Sequence, residues 1–167
     1  MIRSVTALFL VVILASLAAA QSGSPGARSP QPPTDKMKAA VAHFEKAFYD
    51  LTPKKREAEA SAEFDLAISA FEAVVAETPA SAEAHTYLAR IHAARKNFKQ
   101  AAAHYDQVAA IEPFNVDACV LAALAYVDAH DVPEARARLA EARQRTRDAD
   151  VLARLDGFVA KLDALKR

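Results

Sequence analysis

The chain has 167 residues, of which 53% are hydrophobic, with 21 basic and 21 acidic side chains, one cysteine and no tryptophan. This length suits one compact domain and leaves little room for a second. The balanced charge argues against a nucleic-acid-binding protein, because such a protein needs a basic face to neutralise phosphates.

Residues 1–20 have the pattern of a secretory signal peptide. Arg3 supplies a positive start, residues 5–17 form an apolar run without a charge, and residues 18–20 are small alanines of the kind found at signal cleavage sites. We therefore predict cleavage before Gln21 and an exported protein, periplasmic or secreted, without membrane contact afterwards. The alternative is an uncleaved membrane anchor, although the uncharged stretch is slightly shorter than the ~20 residues of a spanning helix.

Residues 21–33 are predicted to form a disordered linker rich in Pro, Gly and Ser. The segment contains only one charge, Arg28, and has nothing to bury at helical or strand spacing. A folded domain is predicted over residues 34–167, with Thr34 as the N-cap of its first helix. Because Cys119 is the one cysteine, no disulfide can form within the chain, and the domain would depend on its apolar core.

From residue 35 onward the composition is that of an all-α protein. Gly157 is the one glycine there, and the strong helix formers, alanine above all, dominate. No stretch alternates apolar and polar side chains as a half-buried strand would. The four prolines of this region suit helix ends or first turns: Pro53, Pro79, Pro113 and Pro133.

The sequence repeats itself at a spacing of 34 residues, which separates Pro79 from Pro113. A small residue, a large one four positions later and an apolar one three positions after that recur as one helix face. These residues are Ala67, Ala101 and Ala135, then Phe71, Tyr105 and Leu139, then Val74, Val108 and Ala142. In the preceding helices the equivalent pairs are Leu88 and Ala122, Ala89 and Ala123, and His92 and Tyr126.

This period and pattern resemble the tetratricopeptide repeat (TPR) family, whose antiparallel helix-turn-helix units stack as a right-handed superhelix. The resemblance implies about three units, at residues 48–81 (divergent), 82–115 and 116–149, followed by a capping helix at 150–166. The second unit fits best, through Leu88, Ala89, His92, Ala101, Tyr105 and Pro113. The third has Arg147 where the family has proline. The capping helix carries an apolar stripe formed by Leu152, Leu155, Val159 and Leu162.

The first unit departs from the pattern in its first helix, where Pro53 and the charged run 54–59 replace an apolar face. Two arrangements are open. Residues 34–50 are the first helix, joined by a turn at 51–53 to a lengthened second helix, or they are the second helix of an earlier, truncated unit. We favour the former, because no room remains upstream for a partner helix.

The sequence has no recognisable catalytic, cofactor or metal site. No serine follows Ser81, one glycine cannot build a phosphate-binding loop, and no cysteine pair has metal-binding spacing. His85 and His92 share a helix face and His104 lies on the next helix, yet packing between helices is the favoured interpretation of all three. Cys119 is expected to be a buried, inert thiol. We therefore expect a protein that is not an enzyme and needs no cofactor.

A basic run near the C-terminus suggests an anionic partner: Arg136, Arg138, Arg143, Arg145 and Arg147. However, Glu134 precedes Arg138 by four residues and Glu141 precedes Arg145 by four, which is the order that favours ion pairs along a helix. The favoured interpretation is therefore a solvated outer face.

The resemblance implies where a partner would bind, because the first helix of each unit lines a concave groove. The predicted groove residues are Glu83, Thr86, Tyr87, Arg90, Asp117, Val120, Leu121, Leu124 and Asp128. Arg90 is the expected anchor and Tyr87 a stacking surface. The alternatives are that these residues are merely solvated or that they pack against residues 34–50. Relatives that clasp a C-terminal carboxylate have Lys and Asn where this chain has Thr86 and Leu124, so that activity is not expected.

Two functions from different classes follow from this pattern. The first is a non-catalytic adaptor of the bacterial cell envelope that binds a protein or peptide of unknown identity in the groove. The second is a structural protein that self-assembles as a homo-oligomer through its helical repeats.

Overall fold

A computed structural model of the protein describes residues 34–164, where all regular structure is helical. Helix α1 spans Asp35–Glu45 and continues as the π-helical segment Lys46–Leu51; α2 spans Glu57–Glu77, α3 Ala82–Ala94, α4 Phe98–Ile111, α5 Val116–Asp128, α6 Val132–Arg145 and α7 Ala149–Ala164. Three helix pairs, α1–α2, α3–α4 and α5–α6, stack in order, and α7 packs on α6. The predicted all-α repeat fold is confirmed. The predicted signal peptide and linker lie outside the described residues.

Helix α1 is the first helix of the first pair. The Thr34 hydroxyl caps it by accepting a hydrogen bond from the Met37 N–H at 3.2 Å. Its buried stripe packs against α2 and is formed by Met37, Ala40, Phe44 and Ala47. The boundary expected near residue 48 therefore falls inside α1. The first pair exceeds 34 residues because α1 gains a π-helical turn and α2 runs over 21 residues.

The positions that repeat in the sequence form the contacts between helices. Ala67, Ala101 and Ala135 are all fully buried, which lets the backbones of neighbouring helices approach closely. The large residues four positions later are also buried, with relative exposures of 0% for Phe71, 8% for Tyr105 and 4% for Leu139. The 34-residue pattern therefore corresponds to the packing of the stacked pairs.

The helix ends repeat as well. Ser81 and Asn115, 34 positions apart, cap α3 and α5 by accepting hydrogen bonds from backbone N–H groups three residues on, at 3.3 and 3.0 Å. Lys96 and His130, also 34 apart, occupy the turns after α3 and α5 with φ of 61° and 60°. The same left-handed turn thus reverses the chain within the second and third pairs, although neither residue is glycine.

Helix α7 closes the C-terminal end of the described chain. Leu155 and Leu162 are buried, while Leu152 and Val159 of the same predicted stripe are half-buried. Asp148 caps the helix by accepting hydrogen bonds from the N–H groups of Asp150 and Val151. None of the helices in residues 34–164 is long and apolar enough to span a membrane.

Candidate functional site: the inner face of the first helices

The first helix of each pair presents one stripe of side chains on the side away from its buried stripe. With 3.6 residues per turn, residues spaced 4, 7 and 11 positions apart share a helix face. We call the combined stripes the inner face and define it by Lys38, Ala42, Glu45 and Tyr49 of α1, Glu83, Thr86, Tyr87 and Arg90 of α3, and Asp117, Val120, Leu121, Leu124 and Asp128 of α5.

Arg90 lies on a cluster of aromatic rings contributed mainly by α1. Its guanidinium carbon is 4.8 Å from the Phe44 ring centroid, 5.7 Å from Phe48 and 5.8 Å from Tyr87. Its Nη2 also donates a hydrogen bond to the Tyr49 hydroxyl at 3.2 Å. These are cation–π distances. Arg90, the residue expected to anchor a partner, is therefore already engaged inside the protein. This arrangement agrees with the alternative in which the groove residues pack against residues 34–50.

Tyr87 is part of the same cluster. Its ring stacks on Phe71 at a centroid distance of 4.8 Å and an interplanar angle of 8°, and it meets Phe44 edge-on at 5.1 Å. Burial is the main cause that raises the pKa of Tyr87, and the carboxylates of Glu83 and Glu45 contribute to the rise. Only part of this side chain is left for contact with another molecule.

A shallow cavity of about 270 Å³ lies between α1 and α3 on the inner face. It is lined by Met37, Lys38, Val41, Ala42 and Glu45 from α1 and by Glu83 and Tyr87 from α3. The sequence analysis omitted the α1 residues, because the 34-residue alignment does not reach them. Their spacing of three or four positions is the signal that identifies them as one face.

The α5 part of the inner face differs in character. Val120, Leu121 and Leu124 are half-buried apolar residues, and Leu124 belongs to none of the core clusters within residues 34–164. Asp117 at one end of this strip is exposed. Asp128 at the other end is half-buried, and burial raises its pKa while the nearby His130 opposes that shift. An apolar strip between two carboxylates therefore lies along α5.

Thr86 contributes little to this surface. Its hydroxyl donates a hydrogen bond to the Ala82 carbonyl of its own helix at 2.8 Å. The nine predicted groove residues thus separate into four groups. Tyr87 and Arg90 are engaged by α1, and Thr86 bonds to its own backbone. Val120 and Leu121 pack in part against the core and leave only part of their surface accessible. The residues left available are Glu83, Asp117, Leu124 and Asp128.

The three histidines meet between α3 and α4. His85 Nε2 lies 3.2 Å from the Pro79 carbonyl oxygen. Because a carbonyl oxygen can only accept a hydrogen bond, Nε2 carries the proton and donates it. The Nδ1 of a neutral His85 then accepts a hydrogen bond from His104 Nδ1, 3.1 Å away. The His92 ring lies parallel to His104 at 5.4 Å between centroids. Burial, with the neighbouring His92 and His85, lowers the pKa of His104 to about 4.

These histidines act as packing and hydrogen-bonding residues between helices, which agrees with the interpretation favoured from the sequence. Among residues 34–164, no group of three or more His, Cys, Asp or Glu side chains has the arrangement of a metal site. Cys119 is fully buried, and burial raises the pKa of its thiol. Its sulfur is thus held in the unreactive protonated form.

Four arginines of the basic run have carboxylate partners. Arg138 Nε lies 2.9 Å from Asp106 Oδ1, and Arg145 pairs with Glu141 and donates to the Ala109 carbonyl at 2.7 Å. Arg136 pairs with Asp163, and Arg143 with Asp156. Since these partners neutralise most of the run, the structure favours a self-paired outer face over an anion-binding surface.

Stacked antiparallel helix pairs with a recurring left-handed turn and a 34-residue register define a helical repeat protein. The family model described as Tetratricopeptide repeat matches residues 58–113 and 92–162. The chain therefore belongs to the tetratricopeptide repeat family, as its sequence pattern implied. No curated protein sequence matches the chain.

Solved structures resemble this chain at low sequence identity. The N-terminal domain of stress-induced protein-1 from C. elegans is 14% identical, with a TM-score of 0.51, and the match covers 78% of this chain and 98% of that one. The first TPR domain of Spaghetti, solved with an HSP90 peptide, is 16% identical, with a TM-score of 0.48 over 78% of this chain and 99% of that one. At these identities the likeness concerns the fold alone.

Proposed function

We propose that this protein is a non-catalytic adaptor that binds a protein or peptide on the α5 part of its inner face. TPR domains generally mediate protein–protein interactions, and the chain belongs to that family. The observation that carries the proposal is the apolar strip of Val120, Leu121 and Leu124 on the first helix of the third pair. Half-buried apolar side chains bounded by charges are typical of a docking surface for a peptide.

The location on α5 departs from the expectation that Arg90 anchors the partner. Moving Arg90 to a ligand would break its contacts with Phe44 and Phe48 and its hydrogen bond to Tyr49. Leu124 occupies the equivalent position 34 residues later and has no comparable contacts to lose. Binding at Leu124 is therefore less costly than binding at Arg90, and we assign Arg90 a structural role.

The proposal includes an exported protein of the bacterial cell envelope. It is supported by Arg3, the uncharged apolar run 5–17 and the alanines at 18–20. Export predicts a mature N-terminus at Gln21. Mass spectrometry of the protein isolated from its source cells tests this point, and an intact N-terminus retained in the membrane fraction would instead identify an anchor.

The experiment on the adaptor function compares two matched variants of the full chain. Leu124→Gln makes the inner strip polar with little change of size, and Leu66→Gln does the same on α2, where Leu66 is 51% exposed. Each protein, checked for unchanged helicity and melting temperature, is immobilised and exposed to envelope extract. We expect a partner that binds the wild type and Leu66→Gln but is lost from Leu124→Gln.

The other outcomes would overturn the proposal. A partner retained equally by all three proteins would place the interface away from α5. Capture of nothing but further copies of the chain, together with a concentration-dependent mass in light scattering, would favour the self-assembling structural protein.

A further inference from the structure

All four carboxylates of the inner face lack an ion pair within residues 34–164, whereas most carboxylates of the second helices and α7 have one. Within residues 34–164, Glu45, Glu83, Asp117 and Asp128 have no Lys, Arg or His side chain at salt-bridge distance. On the second helices and α7, by contrast, most carboxylates are paired: Glu59, Glu63, Asp65, Glu77, Asp106, Glu134, Glu141, Asp156 and Asp163.

The cations of the inner face do not compensate for these charges. Of its two basic residues, Arg90 is directed onto the aromatic cluster, and Lys38 lies 3.5 Å from Asp35 of its own first turn. No basic residue belongs to the α5 stripe, where Asp117 and Asp128 flank the leucines. The inner face therefore carries four carboxylates against two basic residues, and its α5 part combines apolar side chains with a net negative charge, which attracts cations.

The carboxylates are spaced to contact successive side chains of one segment. Glu83 and Asp117 occupy the same position of neighbouring first helices, and packed helix axes are ~8–10 Å apart. A segment in the polyproline II conformation has three residues per turn and rises ~3.1 Å per residue, so side chains three positions apart share a face at a spacing of ~9 Å, which suits these two carboxylates. Its other side chains would lie beside Asp117, which Leu121 and Leu124 follow on the same face of α5.

We propose that the partner of the inner face is a cationic segment with Lys or Arg at about every third position and apolar residues between them. The basic side chains pair with Glu83 and Asp117, and with Glu45 and Asp128 toward the ends, while the apolar ones contact Leu121 and Leu124. This inference rests on the proposed function and names the chemistry of the partner.

The test uses the full chain and two synthetic peptides of twelve residues, labelled with a fluorophore. One carries Lys at every third position with Leu and Ser between, and the other replaces each Lys by Glu. The inner variant combines Glu83→Lys and Asp117→Lys. The outer control combines Glu57→Lys and Asp150→Lys, two exposed carboxylates that have no ion pair within residues 34–164. All four residues lie in the first turn of a helix, so the change in net charge and in helix-dipole interaction is matched.

In fluorescence anisotropy, the lysine peptide is expected to bind the wild type and the outer control, and to bind the inner variant at least about tenfold more weakly. Its affinity for the wild type should fall with added salt, and the glutamate peptide should not bind the wild type. Equal weakening in both variants would show a net-charge effect and overturn the inference.

A further result separates this inference from the function it rests on. If the extract yields a partner that Leu124→Gln loses, but that partner binds the inner charge variant as well as the wild type, the adaptor function stands and the cationic partner is wrong. If the lysine peptide binds with the expected dependence on Glu83 and Asp117 but Leu124→Gln still retains its natural partner, the acidic face is correct and the proposed docking of that partner on α5 is wrong.

Discussion

The two halves of the repeat array hold neighbouring helices together with different side chains. Between the first and second pairs the contacts are aromatic: Tyr87 stacks on Phe71 and meets Phe44 edge-on, and the Arg90 guanidinium lies over the rings of Phe44, Phe48 and Tyr87. Between the second and third pairs the buried residues are mostly small: Ala89, Ala101, Ala102, Ala122 and Ala125, with Tyr105 as the one large member of that cluster.

This difference shows two ways to join one repeat to the next. Small side chains allow close approach only where the backbones keep the standard geometry, and there the 34-residue period is strictly kept. The first pair has lost that period, since α1 and α2 are longer than their counterparts. Large rings with two adjustable torsions can fill the irregular space that results. We call the contact between the first and second pairs the irregular junction and the contact between the second and third pairs the regular junction. The stability of the irregular junction is expected to depend on a few large residues, and that of the regular junction on many small ones.

The largest effect is expected from Phe71→Ala. Phe71 is fully buried and stacks on Tyr87, so its truncation should lower the free energy of unfolding by ~3–5 kcal/mol. Urea unfolding followed by circular dichroism measures the change. Phe114→Ala, at a site 84% exposed, is the control and should be nearly neutral. A loss under ~1 kcal/mol at Phe71 would contradict the dependence of this junction on its rings.

The regular junction should be destabilised by the opposite change, the introduction of a larger side chain. Ala122 is fully buried in the alanine cluster, beside Ala89 of α3 and Ala101, Ala102 and Tyr105 of α4, so Ala122→Leu would force α5 away from these helices and should cost ~1–3 kcal/mol. Ala103→Leu, at an exposed site of α4, controls for the added side chain. A neutral Ala122→Leu would mean that close approach is not required there.

Much of the fold could be predicted because the buried positions repeat. Ala101, Tyr105 and Val108 follow the family pattern, and each is buried as that pattern requires. The repeat alone could not give the bounds of the first pair, because the 34-residue spacing put its start near residue 48. Pro53 and the charged run 54–59 instead indicated a first helix over 34–50 and a lengthened second helix, and the structure has helical segments over residues 35–51 and 57–77.

The candidate site was predicted only in part. Helical spacing selected α3 and α5 residues that do lie on one face, but it could not show that Phe44, Phe48 and Tyr49 cover Arg90. Those contacts join residues about 40 positions apart, and they depend on how α1 lies against α3. The pairing of the arginines was easier to anticipate, because Glu141 and Arg145 are four positions apart on one helix.

Acid should weaken the molecule within the second pair, where His85, His92 and His104 meet. Burial and the neighbouring His92 and His85 lower the pKa of His104 to about 4, whereas a histidine in the unfolded chain has the usual pKa of ~6.5, so the unfolded chain takes up the proton first. Stability due to this group is complete above pH 6.5 and is lost as the pH falls toward 4. The other charged groups near the cluster are Glu72 and Arg95, which act on His92 in opposite directions.

The measurement is the free energy of unfolding at pH 7 and pH 4.5 for the wild type and His104→Gln. Because His104 is half-buried and partly screened, the wild type should lose ~1–2 kcal/mol more than the variant over this interval. Parallel curves for the two proteins would mean that His104 titrates with an ordinary pKa in the folded state.

The smallest effect on the free energy of unfolding is expected from the exposed ion pairs of the C-terminal half. Measuring one of them tests whether charges contribute as much as small side chains to holding its helices together. Arg143 on α6 pairs with Asp156 on α7, and more than half of each side chain is exposed, 56% and 55%. Solvent screening limits such a pair to ~0.2–1 kcal/mol. A double-mutant cycle with Arg143→Ala and Asp156→Ala measures the coupling directly. If the coupling energy of Arg143 and Asp156 equalled the loss of unfolding free energy caused by Ala122→Leu, ion pairs would stabilise this half as much as close packing does. The expected low coupling energy means that close packing of small side chains is what distinguishes this half from the aromatic contacts between the first and second pairs.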